Sequence, residues 1–317
     1  MEKHRVQDSR AGAIGGTAAL ALLLLLSVCA FAQTADARQA AELHGRDLPG
    51  QSVFGKYEFI EYVVGNLPLI ISVPHGGYLR PESIPNRELA TPGRQDTKTQ
   101  ELAREIIESF RQETGKYPHV IINRLHRDKL DANRESFDAA QDNPIASVAW
   151  QEFHDFIDSA QHAVERQSGR SLYIDLHGHR HTQQVVELGY LLVSSQLQLS
   201  DRQLDSVAAQ PVTSFGDFAV RRGVPPSRMI RGDLSLGALL GKHRIAAVPS
   251  PDMPHPDGNP YFSGGYNLEQ HSAFSGRRAW GIQVELPTGI REDDTKRRSF
   301  AITFMKCMIE FLSIIGE

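Results

Sequence analysis

Residues 175–181, Asp-Leu-His-Gly-His-Arg-His, concentrate metal-binding side chains directly after the apolar residues 172–174. In an extended strand alternate residues point to the same face, so Asp175, His177 and His179 share one side. A catalytic zinc typically has about three protein ligands, drawn from histidine nitrogens and carboxylate oxygens, and an open position for water. The segment therefore predicts half of a metal site, and the remaining ligands must come from elsewhere in the chain.

A second histidine, His75, follows another apolar run, residues 69–73, and precedes two glycines. Glycine has no side chain to block a ligand from approaching the backbone. Either histidine alone is more typical of a structural residue than of a ligand. Because both follow predicted strands, we expect His75 and His177 to bind one metal ion together, with Asp175 holding the imidazole of His177.

Asp96, just ahead of a predicted helix that starts near residue 99, is the expected third ligand. Capping of that helix is its alternative role, and Glu82 is the alternative ligand. His179 and His181 could also be a ligand or contact substrate, although solvated loop residues are the more common case.

Glu285 ends the apolar residues 279–284, where a carboxylate is poorly placed for solvent. Beside a metal, such a group suits a general base that takes a proton from water and passes it to a leaving amine. A buried ion pair is the alternative interpretation of Glu285.

Two further segments are candidates for substrate binding. Residues 123–135 are rich in arginine, whose planar fork binds both oxygens of a carboxylate, and residues 260–271 contain a glycine turn. A charged segment is usually a solvated face, so either indication is weak alone. The substrate-binding candidates are Arg124, Asn133, Gly264, Gly265, Tyr266 and His271, and Arg134 lies in the same arginine-rich segment.

These residues need a scaffold, and apolar runs alternate with helical patterns from Tyr57 onward. This alternation predicts an α/β fold: a single domain with a mixed, largely parallel sheet flanked by helices. Strands are expected over residues 69–73, 119–123, 172–178, 189–194 and 279–287. Helices are expected over residues 99–114, closed by Gly115, over a long segment capped by Ser147, over 201–209, 215–222 and the C-terminal stretch. Ligands of such sheets bind at the carboxyl ends of strands.

Composition narrows the classes of partner. The 317 residues are 40% hydrophobic and 23% charged, with a net charge of −4. This balance argues against nucleic acid or an anionic membrane as the main partner and says little about small substrates.

The N-terminus predicts export. Basic residues precede an apolar run over residues 17–32 that ends in Ala-Phe-Ala, which predicts a signal peptide over residues 1–32, cleaved after Ala32. The mature protein is then periplasmic or secreted. A retained N-terminal membrane anchor is the alternative, although the run is short of the ~20 residues that a bilayer requires. Residues 33–56 are expected to form a linker or arm, and residues 57–317 the catalytic domain.

Six segments in order resemble the N-formylglutamate amidohydrolase family. They read PLIISVPHGGYLRPESI, QDTKTQELA, NRLHRDKLDANRE, YIDLHGHRH, YFSGGYNLEQH and GIQVELP. The resemblance runs over nearly all of the chain after Tyr57. It implies a zinc carboxypeptidase-like fold, a divalent metal such as Zn²⁺, and hydrolysis of N-formylglutamate or a related N-acyl amide.

By this resemblance His75, Asp96 and His177 are metal ligands, Glu285 is the base, and Arg134 binds a carboxylate or an oxyanion. The predicted export favours two alternatives, a carboxypeptidase-like enzyme or a γ-glutamyl peptidase. A binding protein without catalytic activity on the same fold is a third.

Overall fold

The computed structural model describes residues 48–88, 95–208, 213–215 and 222–316. The strands are β1 (Ser52–Phe54), β2 (Ile60–Val63), β3 (Leu69–Val73), β4 (His119–Asn123), β5 (Ser171–His179), β6 (Val186–Gly189), β7 (Ala247–Val248) and β8 (Ala279–Pro287). The helices are α1 (Thr99–Thr114), α2 (Ser136–Ala140), α3 (Pro144–Ser168), α4 (Ser194–Leu197), α5 (Asp201–Ala208), α6 (Pro226–Ile230), α7 (Leu236–Lys242), α8 (Tyr266–His271), α9 (Thr288–Arg291) and α10 (Asp294–Gly316). The predicted signal peptide and most of helix 215–222 lie outside the described residues.

The strands form one mixed sheet in the order β1-β2-β4-β3-β5-β8-β6-β7. Strands β4, β3, β5 and β8 are parallel neighbours in its centre. Strands β1 and β2 pair antiparallel at one edge, and β6 pairs antiparallel with β8. The predicted α/β class, with a mixed and largely parallel sheet flanked by helices, is confirmed.

The two faces of the central strands differ in polarity. On β5, the side chains of Leu172, Ile174 and Leu176 are buried in the larger core, which also contains apolar residues of α1 and α10. Tyr173 belongs to the second core, formed with residues of α3. Because side chains alternate along a strand, the residues that follow Tyr173 on its face are Asp175 and His177, and the sheet becomes polar on that face toward the strand ends.

Two elements differ in their bounds from the sequence-based predictions. Helix α3 begins at Pro144, because the side chain of Asn143, and not Ser147, accepts hydrogen bonds from the N–H groups of Ile145 and Ala146. The strand expected over residues 189–194 is instead β6, which ends at Gly189. Leu191 has a φ of 63°, which is incompatible with an extended strand.

The predicted arm and the C-terminal helix contain further sheet and core residues. Strand β1 lies within residues 33–56 and pairs with β2 through the register Val53 to Tyr62.

Helix α10 is long and apolar enough to cross a membrane, but a core helix passes the same test. Because Phe304 and Phe311 are buried in the larger core, we describe α10 as a core helix.

Candidate metal centre

His75, Asp96 and His177 converge at the carboxyl ends of the central parallel strands. The Nδ1 atom of His75 lies 3.2 Å from Asp96 Oδ2, and the Nδ1 atom of His177 lies 3.1 Å from the same oxygen. One potential ligand atom from each residue lies within 4.8 Å of the other two, and all three residues are buried. Two nitrogens and one oxygen in this arrangement form a donor set that suits Zn²⁺. Glu82, the alternative ligand, is exposed.

Both imidazoles are held at the opposite nitrogen by a buried carboxylate. His75 Nε2 donates to Asp131 Oδ1 at 2.6 Å, and His177 Nε2 donates to Asp175 Oδ2 at 2.8 Å. A carboxylate on the far nitrogen is typical of metal-binding histidines, because it sets the tautomer that leaves Nδ1 free to bind the ion. Two histidines with the same arrangement therefore favour a metal site over two structural histidines.

Local backbone structure explains how Asp96 reaches the histidines. Its side chain does not cap α1; the residue before that helix is Lys98, with a φ of 68°. The carbonyl oxygen of Asp96 accepts from the Thr99 N–H and hydroxyl groups, which turns the carboxylate toward the sheet. The N–H of Gly178 also donates to Asp96 Oδ2, at 3.2 Å.

Asp96 and His177 each shift the pKa of the other. Although burial opposes ionisation of Asp96, the neighbouring His75 and His177 hold its pKa far below the usual range. Burial also disfavours the imidazolium form of His177, but Asp175 and Asp96 raise the pKa of His177 well above its usual value. The excess of buried carboxylates around two imidazoles is an environment that accommodates a cation.

Glu285 lies beside this centre on β8. Its Cα atom pairs with that of His177 across the parallel strands β5 and β8. Oε1 accepts a hydrogen bond from Gln283 Nε2 at 3.1 Å, while Oε2 is buried with no hydrogen-bond partner among the described residues. Burial raises the pKa of Glu285 to about 8; His177 acts in the opposite direction, and Asp96 adds to the increase.

Three arginines approach Asp131: Arg87, with a buried side chain whose Nη1 lies 3.6 Å from Oδ2, and two in the segment after β4. Arg127 donates from Nε to Asp131 Oδ2 at 3.0 Å, and its Nη1 lies 3.6 Å from Asp96 Oδ1. Arg134, the sequence-predicted arginine, is farther out: its Nε lies 3.9 Å from Asp131 Oδ2 and its side chain is 59% exposed. Within this segment Arg127 is therefore the inner arginine and Arg134 the outer one.

Part of the predicted substrate-binding set lies near the centre. Asn133 Nδ2 is 3.4 Å from His177 Nε2, and Asn133 Oδ1 accepts from the N–H of Asn267. A side chain at Gly265 would meet the amide of Asn133 and the oxygen of Gln283, so this glycine allows the turn to pack closely there.

Four other predicted residues lie elsewhere or face other groups. Arg124 donates to the carbonyl of Glu58 and stacks on Phe54, and His271 bonds to His154 Nδ1 at 2.7 Å in a buried cluster that also holds Asp158. Both side chains bind these groups and none of the metal-centre residues, and their substrate-binding roles stay predictions. Gly264, with a φ of 139°, packs beside Leu191, and Tyr266 faces Trp150 and His154.

The sequence-based reasoning missed Arg291. This fully buried arginine on α9 donates to the carbonyl oxygens of Leu286, His179 and Thr97, which end β8, β5 and the Asp96 loop. It thus joins the three segments that carry Glu285, His177 and Asp96. No local pattern marks it, because its partners are spread over the chain.

No family model matches the sequence, and no curated protein matches it either. Solved structures are similar over most of the chain. One is the N-formylglutamate amidohydrolase from Ralstonia eutropha JMP134, with 14% identity, a TM-score of 0.47 and coverage of 84% of this chain and 96% of that one. A second is a gene product of Agrobacterium tumefaciens, with 13% identity, a TM-score of 0.49 and coverage of 84% and 97%.

A third similar structure is a candidate metallopeptidase from Shewanella amazonensis SB2B, with 12% identity, a TM-score of 0.36 and coverage of 81% of each chain. The first of the three bears the family name that the sequence segments suggested. Identities and TM-scores this low do not carry an activity over to this chain, so its function is argued from its own residues.

Proposed function

We propose that this protein is a metal-dependent hydrolase that cleaves the amide bond of a small acidic N-acyl amino acid such as N-formylglutamate. The observation that carries the proposal is that the candidate metal centre lies beside a buried glutamate, Glu285. Two histidines direct Nδ1 toward Asp96 while carboxylates hold their Nε2 atoms, and a buried glutamate lies on the next strand.

His75, Asp96 and His177 would hold the ion, and Zn²⁺ fits their donor set. When bound, such an ion lowers the pKa of water toward about 7 and polarises a carbonyl group. The protein adds a proton acceptor: Glu285 Oε2, because Gln283 already occupies Oε1. Glu285 would take the proton from the attacking water and return it to the nitrogen of the leaving amine.

Arg134 and Arg127 would have different roles with an acidic substrate. Arg134 is the more accessible one and can turn its guanidinium toward a substrate carboxylate. Arg127 is fixed by Asp131 and points at Asp96, so its charge lies where negative charge develops on the carbonyl oxygen. Arg134 would bind the substrate, and Arg127 would stabilise the oxyanion.

The test is formate release from N-formylglutamate by the wild type and by Glu285→Gln. The variant keeps the shape of the side chain and loses the proton acceptor, so we expect turnover to fall by roughly 10²–10⁴-fold with unchanged metal content. Glu269→Gln, at an exposed glutamate of α8, is the control and should match the wild type.

Near-normal turnover of Glu285→Gln would exclude Glu285 as the base. A wild type that releases no formate but cleaves γ-glutamyl peptides or peptide C-termini would select the peptidase alternative. Calorimetric binding of acyl amino acids without turnover of any of them would indicate a binding protein.

A further inference from the structure

A second cluster of potential metal ligands lies next to the first centre. It consists of His179 at the end of β5, His181 just after it, and Glu187 on β6. Nδ1 of His181 lies 2.7 Å from Glu187 Oε1, and Nδ1 of His179 lies 3.7 Å from the same oxygen. The three potential ligand atoms lie within 4.8 Å of one another.

In His179 and Glu187, the side-chain atom that faces away from the cluster is hydrogen-bonded to the backbone. His179 Nε2 donates to the carbonyl of Val185 at 2.8 Å, which leaves a lone pair on Nδ1. Glu187 Oε2 accepts from the N–H of Phe262 at 2.8 Å, so Oε1 is the oxygen that faces the imidazoles. The N–H of His181 also contacts His179 Nδ1 at 3.2 Å, a hydrogen bond that a bound cation would replace. Backbone groups that orient ligands in this way are typical of metal sites.

The charge balance also favours a cation. Glu187 is 1% exposed, and its ion-pair partners among the described residues are His179 and His181. Its Cα atom pairs with that of Glu285 across the antiparallel strands β6 and β8, so two buried carboxylates are neighbours. Buried charges are rare without a compensating ion or ion pair. With both histidines neutral, the form in which Nδ1 can bind a metal, a bound cation would compensate the charge of Glu187.

The geometry points to a second divalent cation of the zinc class, bound by His179 Nδ1, His181 Nδ1 and Glu187 Oε1. Two imidazoles and one carboxylate match the ligand preferences of Zn²⁺ and its neighbours in the transition series. The two candidate sites share no ligand residue, so the second uses its own ligands. Glu285 lies beside both, because its Cα atom pairs with that of His177 on one side and that of Glu187 on the other.

The test is metal content, measured by elemental analysis of the full chain purified without chelators and saturated with Zn²⁺. We expect two equivalents in the wild type and one each in His181→Ala, Glu187→Gln and His75→Ala. Glu187→Gln keeps the packing of the buried side chain and so reports on the site if His181→Ala is poorly folded. His243→Ala, at an exposed histidine after α7, should keep both equivalents.

Other results separate this inference from the proposed function. One equivalent that is lost in His75→Ala but kept in His181→Ala and Glu187→Gln would overturn the second site and leave the first. One equivalent that is lost in His181→Ala and kept in His75→Ala would support the second site and contradict the first. A wild type that binds no Zn²⁺ would overturn both.

Discussion

At the scale of single residues, each histidine of the centre depends on a carboxylate; that of His177 is near in the sequence, and that of His75 is distant. His75 could be predicted as a candidate ligand because it follows an apolar run and precedes glycines. The role of Asp131 could not, because it is defined by a hydrogen bond to a histidine 56 residues away. Arg127 escaped selection for the same reason: a charged segment alone does not show which of its members turns inward.

Asp131→Asn tests this dependence. The amide can still accept from His75 Nε2 but carries no charge, so His75 becomes a weaker ligand. We expect the affinity for Zn²⁺ at the first site to fall by roughly 10–100-fold, measured by chelator competition. Asp128→Asn is the control, since Asp128 is in the same segment and pairs with the half-exposed Arg80. Equal affinities in Asp131→Asn and the wild type would show that the carboxylate does not tune the ligand.

At the scale of secondary structure, strands were predicted best where apolar runs are long and buried on both faces. This holds for β3, β4, β5 and β8, the strands that carry or flank the centre. The strand at residues 189–194 was predicted wrongly because Tyr190 and Leu192 are buried in the core without belonging to a strand. Burial produces the same apolar pattern in a loop that packs inward, so pattern alone cannot distinguish the two.

Arg291 hydrogen-bonds to the ends of the three segments that carry Glu285, His177 and Asp96. Replacing it tests whether these bonds hold the metal centre in place. Arg291→Met leaves three backbone carbonyl oxygens without their buried donor. An unsatisfied buried polar group costs about 1–3 kcal/mol, so we expect the free energy of unfolding in urea to fall by roughly 2–4 kcal/mol. We also expect weaker Zn²⁺ binding, because the Asp96 loop loses its anchor.

Arg298→Met is the matched control for this substitution. Its side chain is 69% exposed and lies 3.6 Å from Glu105. Surface substitutions of this kind usually change stability by less than about 0.5 kcal/mol. If Arg291→Met were as stable as Arg298→Met and bound Zn²⁺ equally well, Arg291 would not be a positioning residue.

At the scale of the whole molecule, buried neutral histidines predict that acid destabilises the fold. His119 Nδ1 accepts from the Tyr62 hydroxyl and the Gly65 N–H, so protonation there would break both bonds. Burial lowers the pKa of His119 to about 4. Because this pKa is below the unfolded value of about 6.5, the stabilisation is fully present above pH 6.5 and is lost as pH falls toward 4.

Urea unfolding between pH 7 and pH 4 measures this effect. His119 should account for a loss of about 3 kcal/mol over that range. His119→Gln should be less stable at pH 7 and should lose less stability on acidification than the wild type does. His243→Gln, at an exposed histidine, should keep the wild-type slope. Identical slopes in all three proteins would mean that His119 does not titrate below its usual range in the fold.

The architecture as a whole was predictable because alternating strands and helices allow few arrangements, and the carboxyl ends of parallel strands then meet at one edge. That rule predicted that His75 and His177 would meet. It did not predict the sheet order, in which β6 brings Glu187 beside Glu285, since pairing between distant strands has no local signal. Export of the mature chain stays a prediction from residues 1–32.

The most direct measurement of the central claim is anomalous diffraction at the zinc edge from crystals of the full chain grown with Zn²⁺. We predict a peak about 2.0–2.2 Å from His75 Nδ1, His177 Nδ1 and an Asp96 oxygen. Crystals with no anomalous peak at this position, in which Asp96 is still hydrogen-bonded to two metal-free imidazoles, would contradict the account whether or not a peak lies at the second site.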